Sequence, residues 1–212
     1  MLRVTARSYL RSSGGGKRME FFNKEEMEKL IYKWSNRMGK YKILYLDHAF
    51  FRTTDYQEEQ SHKQAILQFL NNKDHHFNKK DSSSIENIIF SELLSFDHLE
   101  QYPILVNPAL MRGSNLSYSD FFADYGHYTH AFLYGREDHS SAEKDFYRLN
   151  KELFPEQERL VIKEWNDDWS TFFRMGRRHK GNRLFTVYDP QQKRITVIYI
   201  PLVEEEPYEI IG

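Results

Sequence analysis

Apolar positions in this chain recur first at helical and later at strand spacing, and the changes of period predict its elements. A helix is expected over residues 24–38. Met27, Leu30, Ile31, Trp34 and Met38 form its stripe, Asn23 and Glu26 a capping box, Phe22 a staple on Met27, and Gly39 its stop. Lys42–Leu46 reads as a short buried strand. Asp55 with Glu58 makes a second capping box, starting a helix to about Leu70 with Ile66, Phe69 and Leu70 inward, and 71–82 reads as a polar connection. Ser83 and Glu86 start a third helix through Ile85, Ile88, Ile89, Leu93 and Leu94. Ile104–Val106 is expected as a strand, 107–117 as a loop, and Ser117–Tyr125 as a short helix stopped by Gly126. Thr129–Tyr134, with Thr129, Phe132 and Tyr134 as strand formers, is expected as a strand. Ser140 and Glu143 cap a helix with the stripe Ala142, Phe146, Leu149 and Leu153, and Arg159–Glu164 alternates as a strand.

The last fifth, Trp165 to Ile200, organises the rest. Trp169, Phe172 and Phe173 fall at i, i+3 and i+4, a short helix capped by Asp167 or Asp168, with Gly176 as a left-handed stop. A charged loop, Arg177–Lys180, follows and is closed by Gly181. Arg183–Tyr188 and Arg194–Ile200 make a hairpin opened by Asp189-Pro190. Both faces of its strands are apolar, which places it centrally in a sheet covered on two sides. The class is α+β: a small mixed sheet with a C-terminal β-hairpin, covered by several helices. A single domain is expected over 19–208, with a tail at 209–212 and Glu204–Glu206 solvated.

Composition narrows the classes. With 212 residues, 40% hydrophobic and 16% aromatic, the chain can bury a core without staples. The absence of cysteine excludes disulfides, thiolate catalysis and iron–sulfur clusters and permits a reducing compartment; a cytoplasmic location is expected. No apolar run approaches the roughly 18–20 residues of a membrane span. The net charge of −1 hides an asymmetry: residues 1–18 carry five basic side chains and no acid, leaving 25 basic against 31 acidic, a balance of −6. That balance disfavours nucleic acid as a partner. The acid-free start resembles a transit peptide, while Ser13–Arg18 before Met19 reads like a translated ribosome-binding site. On either reading the leader, disordered or wrongly included, is expected to lie outside the fold.

Candidate chemistry is sparse. There is no GxGxxG, no GxSxG and no phosphate-binding loop; Gly14–Lys17 lacks the spacing for one. His127 and His130, three apart in an expected strand, point to opposite faces, so neither a metal nor a cofactor is expected. If the chain is an enzyme, it is a small metal-dependent or Asp/His hydrolase using Asp47, His48, His127 and His130, with Asp47-His48 at a strand end. The densest charge feature is Arg174, Arg177, Arg178, His179, Lys180 and Arg183. Its arginines suit bidentate contacts to carboxylates, pointing to a protein partner with an acidic surface. Alternatively the run is a solvated turn neutralised by Glu204–Glu206, or a nucleic-acid contact.

The order W-N-D-D-W-S-T-F-F-x2-G followed by F-T-V-Y-D, over about Trp165–Ile198, resembles the C-terminal pattern of small uncharacterised Firmicute proteins, some of them accessory or immunity partners of secreted toxins. It departs from that pattern at Arg177–Lys180, where a second acidic or aromatic stretch is replaced. The resemblance implies a non-catalytic bacterial binding or accessory protein, immunity-like, acting through a protein–protein surface. It carries over no individual residue roles.

Overall fold

The computed structural model describes residues 4–5, 20–21, 46–77, 104–134 and 139–202. The helices expected over 24–38 and from Ser83, residues 42–45 and the acidic tail lie outside these residues. In chain order the strands are β1 (Val4–Thr5), β2 (Glu20–Phe21), β3 (Asp47–Arg52), β4 (Leu105–Val106), β5 (Gly113–Leu116), β6 (Val161–Trp165), β7 (Asn182–Asp189) and β8 (Arg194–Pro201). The helices are α1 (Glu58–Phe77), α2 (Tyr118–Phe122), α3 (His127–Leu133), α4 (His139–Leu153) and α5 (Arg174–Arg178).

The fold is α+β. Six strands form one sheet in the order β2-β3-β8-β7-β6-β5, with the expected β7–β8 hairpin at its centre, paired along its whole length. Every pairing among the described residues is antiparallel, so the sheet is not the mixed one expected. Parallel neighbours need long crossovers, whereas β6, β7 and β8 follow one another as a meander and β3 returns antiparallel beside β8. Val4 and Thr5, within the leader expected outside the fold, pair with Val106 and Leu105.

Alternation along the central strands divides the core in two. Leu184, Ile195, Val197 and Tyr199 face one side with Ala49 and Phe51, where α1 supplies Ala65, Ile66, Phe69 and Leu70, and the stretch after β6 supplies Trp169 and Phe173. Phe185, Val187, Ile198 and Ile200 face the other side with Phe50, against Phe121 and Phe122 of α2, Tyr128 and Phe132 of α3, and Phe146 and Leu149 of α4. Two covered faces are why both alternations of the hairpin are apolar. One polar network crosses the α1 side. The Trp165 indole N–H donates to Thr186 Oγ1 at 2.7 Å, the buried His62 meets the same oxygen through Nδ1 at 2.7 Å, and its Nε2 meets the Tyr56 hydroxyl at 2.8 Å. Tyr56 in turn stacks on Tyr188, ring centres 3.7 Å apart.

Several local expectations change. Thr129–Tyr134 is not a strand but the greater part of α3, because Tyr128, Ala131 and Phe132 repeat at i, i+3 and i+4 and all three are buried. Asp47-His48 does not end a strand; it opens β3, whose Phe50 and Phe51 fill opposite cores. Helix α1 starts at Glu58 and runs on to Phe77 through residues expected as loop. Asp55 does not cap it; Ser61 Oγ accepts the Gln57 N–H at 2.8 Å instead. Asp167 and Asp168 do not cap the turn Thr171–Phe173, which Ser170 caps.

Gly176 is not the left-handed stop either. It lies within α5, and the positive φ of 112° belongs to Gly181. Glycine is needed at 176 for space: a Cβ there would overlap the Asn182 side-chain oxygen and lie 2.5 Å from the Gly181 carbonyl oxygen. Asn182 cannot swing aside, since its Nδ2 donates to Asp167 Oδ2 (2.6 Å) and to the Phe173 carbonyl (2.7 Å), while its Oδ1 accepts the Tyr199 hydroxyl (2.9 Å). Gly176→Ala is therefore expected to cost about 1–3 kcal/mol, read as a lower urea midpoint at unchanged slope.

Candidate functional site

The four residues of the enzyme alternative do not converge. Asp47 and His48 alternate to opposite faces of β3, opposite Tyr199 of one core and Ile198 of the other. His48 Nε2 lies 3.3 Å from the Tyr128 hydroxyl and its ring stacks along Phe50. Burial pushes its pKa down to about 4, against a raising contribution from Asp47, so it stays neutral at ordinary pH. His127 is exposed at the start of α3, its Nδ1 held 2.6 Å from Glu164 Oε2 of β6. Arg183 Nη1 donates to the other oxygen of Glu164 at 2.8 Å, so one carboxylate joins α3 to two strands. His130 is exposed one turn further along α3. The described residues contain no group of three His, Asp or Glu side chains placed to hold a metal.

The basic run is used by the fold to a large extent. Arg174 is buried. Arg177 donates to the Asp167 carbonyl and, at 3.1 Å, to the Ser170 carbonyl, fastening the preceding loop to α5. Arg183 is paired with Glu164, as above. Arg178 continues α5, and His179 and Lys180 are exposed beyond it.

The segment that resembles accessory proteins behaves similarly. Asn166 Nδ2 donates to the Leu110 carbonyl and its Oδ1 accepts the Arg112 N–H; Asp168 pairs with the Arg112 guanidinium at 3.0 Å. Ser170 Oγ donates to the Leu105 carbonyl, and Thr171 Oγ1 accepts the Leu105 N–H. With Trp165 and Trp169 in the core, nearly every position of W-N-D-D-W-S-T carries structure.

The exposed large side chains gather elsewhere. Among the described residues the exposed large hydrophobic ones are Tyr118, Tyr125, Tyr147 and Val161, and the three tyrosines all belong to the α2–α4 layer. Tyr125 is 92% exposed. Its φ of 74° is a left-handed conformation that costs a side-chain-bearing residue roughly 1 kcal/mol, and here it turns an aromatic ring into water. The Tyr147 hydroxyl donates to Asp124 Oδ1 at 2.9 Å, tying α4 to the turn that carries Tyr125. Burial, helped by this bond, pushes the Tyr147 pKa up to about 12. Tyr118 packs on Phe122 and donates to Gln157 at 3.1 Å. Between α3 and α4 the surface sinks into a hollow of about 460 Å³ lined by Asp124, Tyr125, His130, Leu133, Tyr134 and Glu143, with Thr129 at its floor.

Sequence reasoning missed Glu164 and Tyr125, and read Asp124 only as a neighbour of His127 and Glu143 only as a helix cap. The available signal was the Asp-Tyr-Gly triplet at 124–126, where an aromatic residue sits at a helix stop between an acid and a glycine. No protein-family model matches the chain, and no match exists among curated proteins or solved structures.

Proposed function

We propose that this chain is a non-catalytic cytoplasmic binding domain that docks another protein on the tyrosine-bearing face of α2, α3 and α4. The observation that carries the reading is Tyr125, whose solvent-exposed ring sits on a left-handed backbone conformation that costs a bulky residue such as tyrosine. Tyrosine is enriched at interfaces because it offers a large, rigid contact area with a polar tip. Tyr118 and Tyr147 extend that area; Asp124 and Glu143 line the hollow beside Tyr125, while Lys144 and Arg148 are exposed next to Tyr147 on α4, so the face carries charges of both signs. An acidic partner, the one suggested by the basic run, would not find Arg174, Arg177 or Arg183 available, because they serve the fold. An accessory or immunity-like protein of the kind that 165–198 resembles fits a domain of this type.

A second reading, acid–base chemistry, is favoured by one contact. Glu164 holds His127 through Nδ1, which directs the other ring nitrogen away from the carboxylate as a general base requires. It would use Glu164 and His127 rather than Asp47 and His48.

Tyr125→Gly separates binding from stability. It is expected to raise the unfolding free energy by about 0.5–1 kcal/mol by relieving the left-handed strain. A photo-crosslinking residue placed at Tyr147 is expected to capture a discrete protein that the same residue at Val161, on the other side of the sheet, does not. The captured protein, once purified, should bind Tyr125→Gly more than tenfold more weakly. Equal capture from both positions, or unchanged affinity for Tyr125→Gly, would refute the assignment of this face.

A further inference from the structure

We infer that the hollow between α3 and α4 receives an arginine side chain of the docked protein. The inference rests on the protein-binding reading above and names the chemistry of its anchor.

The lining combines two features a guanidinium needs. Asp124 and Glu143 supply carboxylates to the lining, one from the turn before α3 and one from α4. Asp124 is aimed by the Tyr147 hydroxyl on Oδ1, and no described residue donates to its Oδ2 or to the carboxylate of Glu143. The rings of Tyr125, His130 and Tyr134 form the rest of the rim, His130 and Tyr134 6.1 Å apart and tilted by 55°. A planar guanidinium can stack on a ring and donate to carboxylates at once, which a compact ammonium does less well. No lysine or arginine is among the described residues that line the hollow. The hollow, of about 460 Å³ and open to solvent, is large enough to admit a side chain. Tyr125, fully turned into solvent in the unbound chain, is the ring best placed to close over an entering side chain.

The experiment uses the full chain and two short peptides, one with a central arginine flanked by glycine and serine and the other with citrulline in its place. Citrulline keeps the shape and removes the charge. Amide chemical-shift titration should show the arginine peptide perturbing Asp124, Tyr125, His130 and Glu143, with an affinity at least fivefold above that of the citrulline peptide. Glu143→Gln, at a half-buried position, and Tyr125→Leu, at an exposed one, should each remove most of that difference while leaving the thermal midpoint unchanged. Equal binding of the two peptides, shifts centred away from the hollow, or full binding by both variants would overturn the inference, and a lysine peptide binding as tightly as arginine would overturn the choice of guanidinium. The two readings fail separately. A partner captured through Tyr147 that binds Glu143→Gln with unchanged affinity removes the arginine anchor and leaves the docking face standing. Arginine-selective peptide binding with no partner captured through that face supports the hollow and removes the docking reading.

Discussion

Replacing Thr186 by valine is expected to lower the unfolding free energy by about 2–5 kcal/mol, although the two side chains have the same shape. Thr186 is fully buried in the central strand β7 and opens no cavity on this change. What it loses is one oxygen that serves two buried groups, the indole N–H of Trp165 and the Nδ1 of His62. Each unsatisfied buried polar group costs about 1–3 kcal/mol, well above the few tenths that valine's better strand propensity returns. Thr186→Ser keeps the oxygen and is the control, expected to lose only about 1 kcal/mol for the missing methyl. Urea unfolding followed by tryptophan fluorescence reads both. A valine variant within 0.5 kcal/mol of the serine variant, a difference of about the size of RT, would show that Trp165 and His62 find other partners.

The second large effect is acid unfolding. Burial, with Lys163 nearby and against the attraction of Glu59, pushes the His62 pKa from 6.5 down to about 3; burial, with Arg194 acting the same way and Asp47 opposing, pushes that of His48 down to about 4. Both folded values are depressed, so between about pH 6.5 and 4 the unfolded chain binds two more protons than the folded one. Stability is then full above the unfolded value and falls as pH drops toward the folded values. By pH 4 His62 alone removes about 3 kcal/mol at about 1.4 kcal/mol per pH unit. The thermal midpoint is expected to be level above pH 7 and to fall steeply below 6.5. His62→Gln, which can still bond Thr186 and Tyr56, should flatten the slope by one proton, and adding His48→Gln should flatten it by a second. An unaltered profile in the double variant would assign the acid transition to carboxylates.

The parts of the fold legible in the sequence are those where one physical term dominates. The β7–β8 hairpin has apolar residues on both alternations, and only a doubly covered strand pair satisfies them. Helix α4 shows its stripe of Ala142, Phe146, Leu149 and Leu153, all buried as expected. Thr129–Tyr134 misleads because intrinsic strand preference and helical spacing compete there, and the packing of Tyr128 and Phe132 against α4 and the sheet decides for helix. Asp47–Arg52 misleads because a strand buried on both sides shows no alternation to mark its ends. For the site, the arginines were visible as charge, but two acceptors of Arg177 are backbone carbonyls, which no side-chain pattern encodes. Tyr125 needs a backbone angle to be noticed, and the hollow beside it joins residues on α3 and α4 whose contact only the fold creates.

The place of β8 in the sheet bears on how the chain matures on the ribosome. Strand β3 has β8 as its inner neighbour, and Arg52 pairs with Arg194. A chain made at about 5–20 residues per second reaches that partner roughly 7–28 s after β3 has been joined together. Throughout that interval Phe50 and Phe51, one for each core, have no sheet to enter. The meander β6–β7–β8 is assembled from near neighbours and can close quickly once made, so it is the template on which the earlier strand settles. Nascent chains that stall between residues 52 and 194 should therefore carry an open aromatic strand, a natural substrate for holding chaperones.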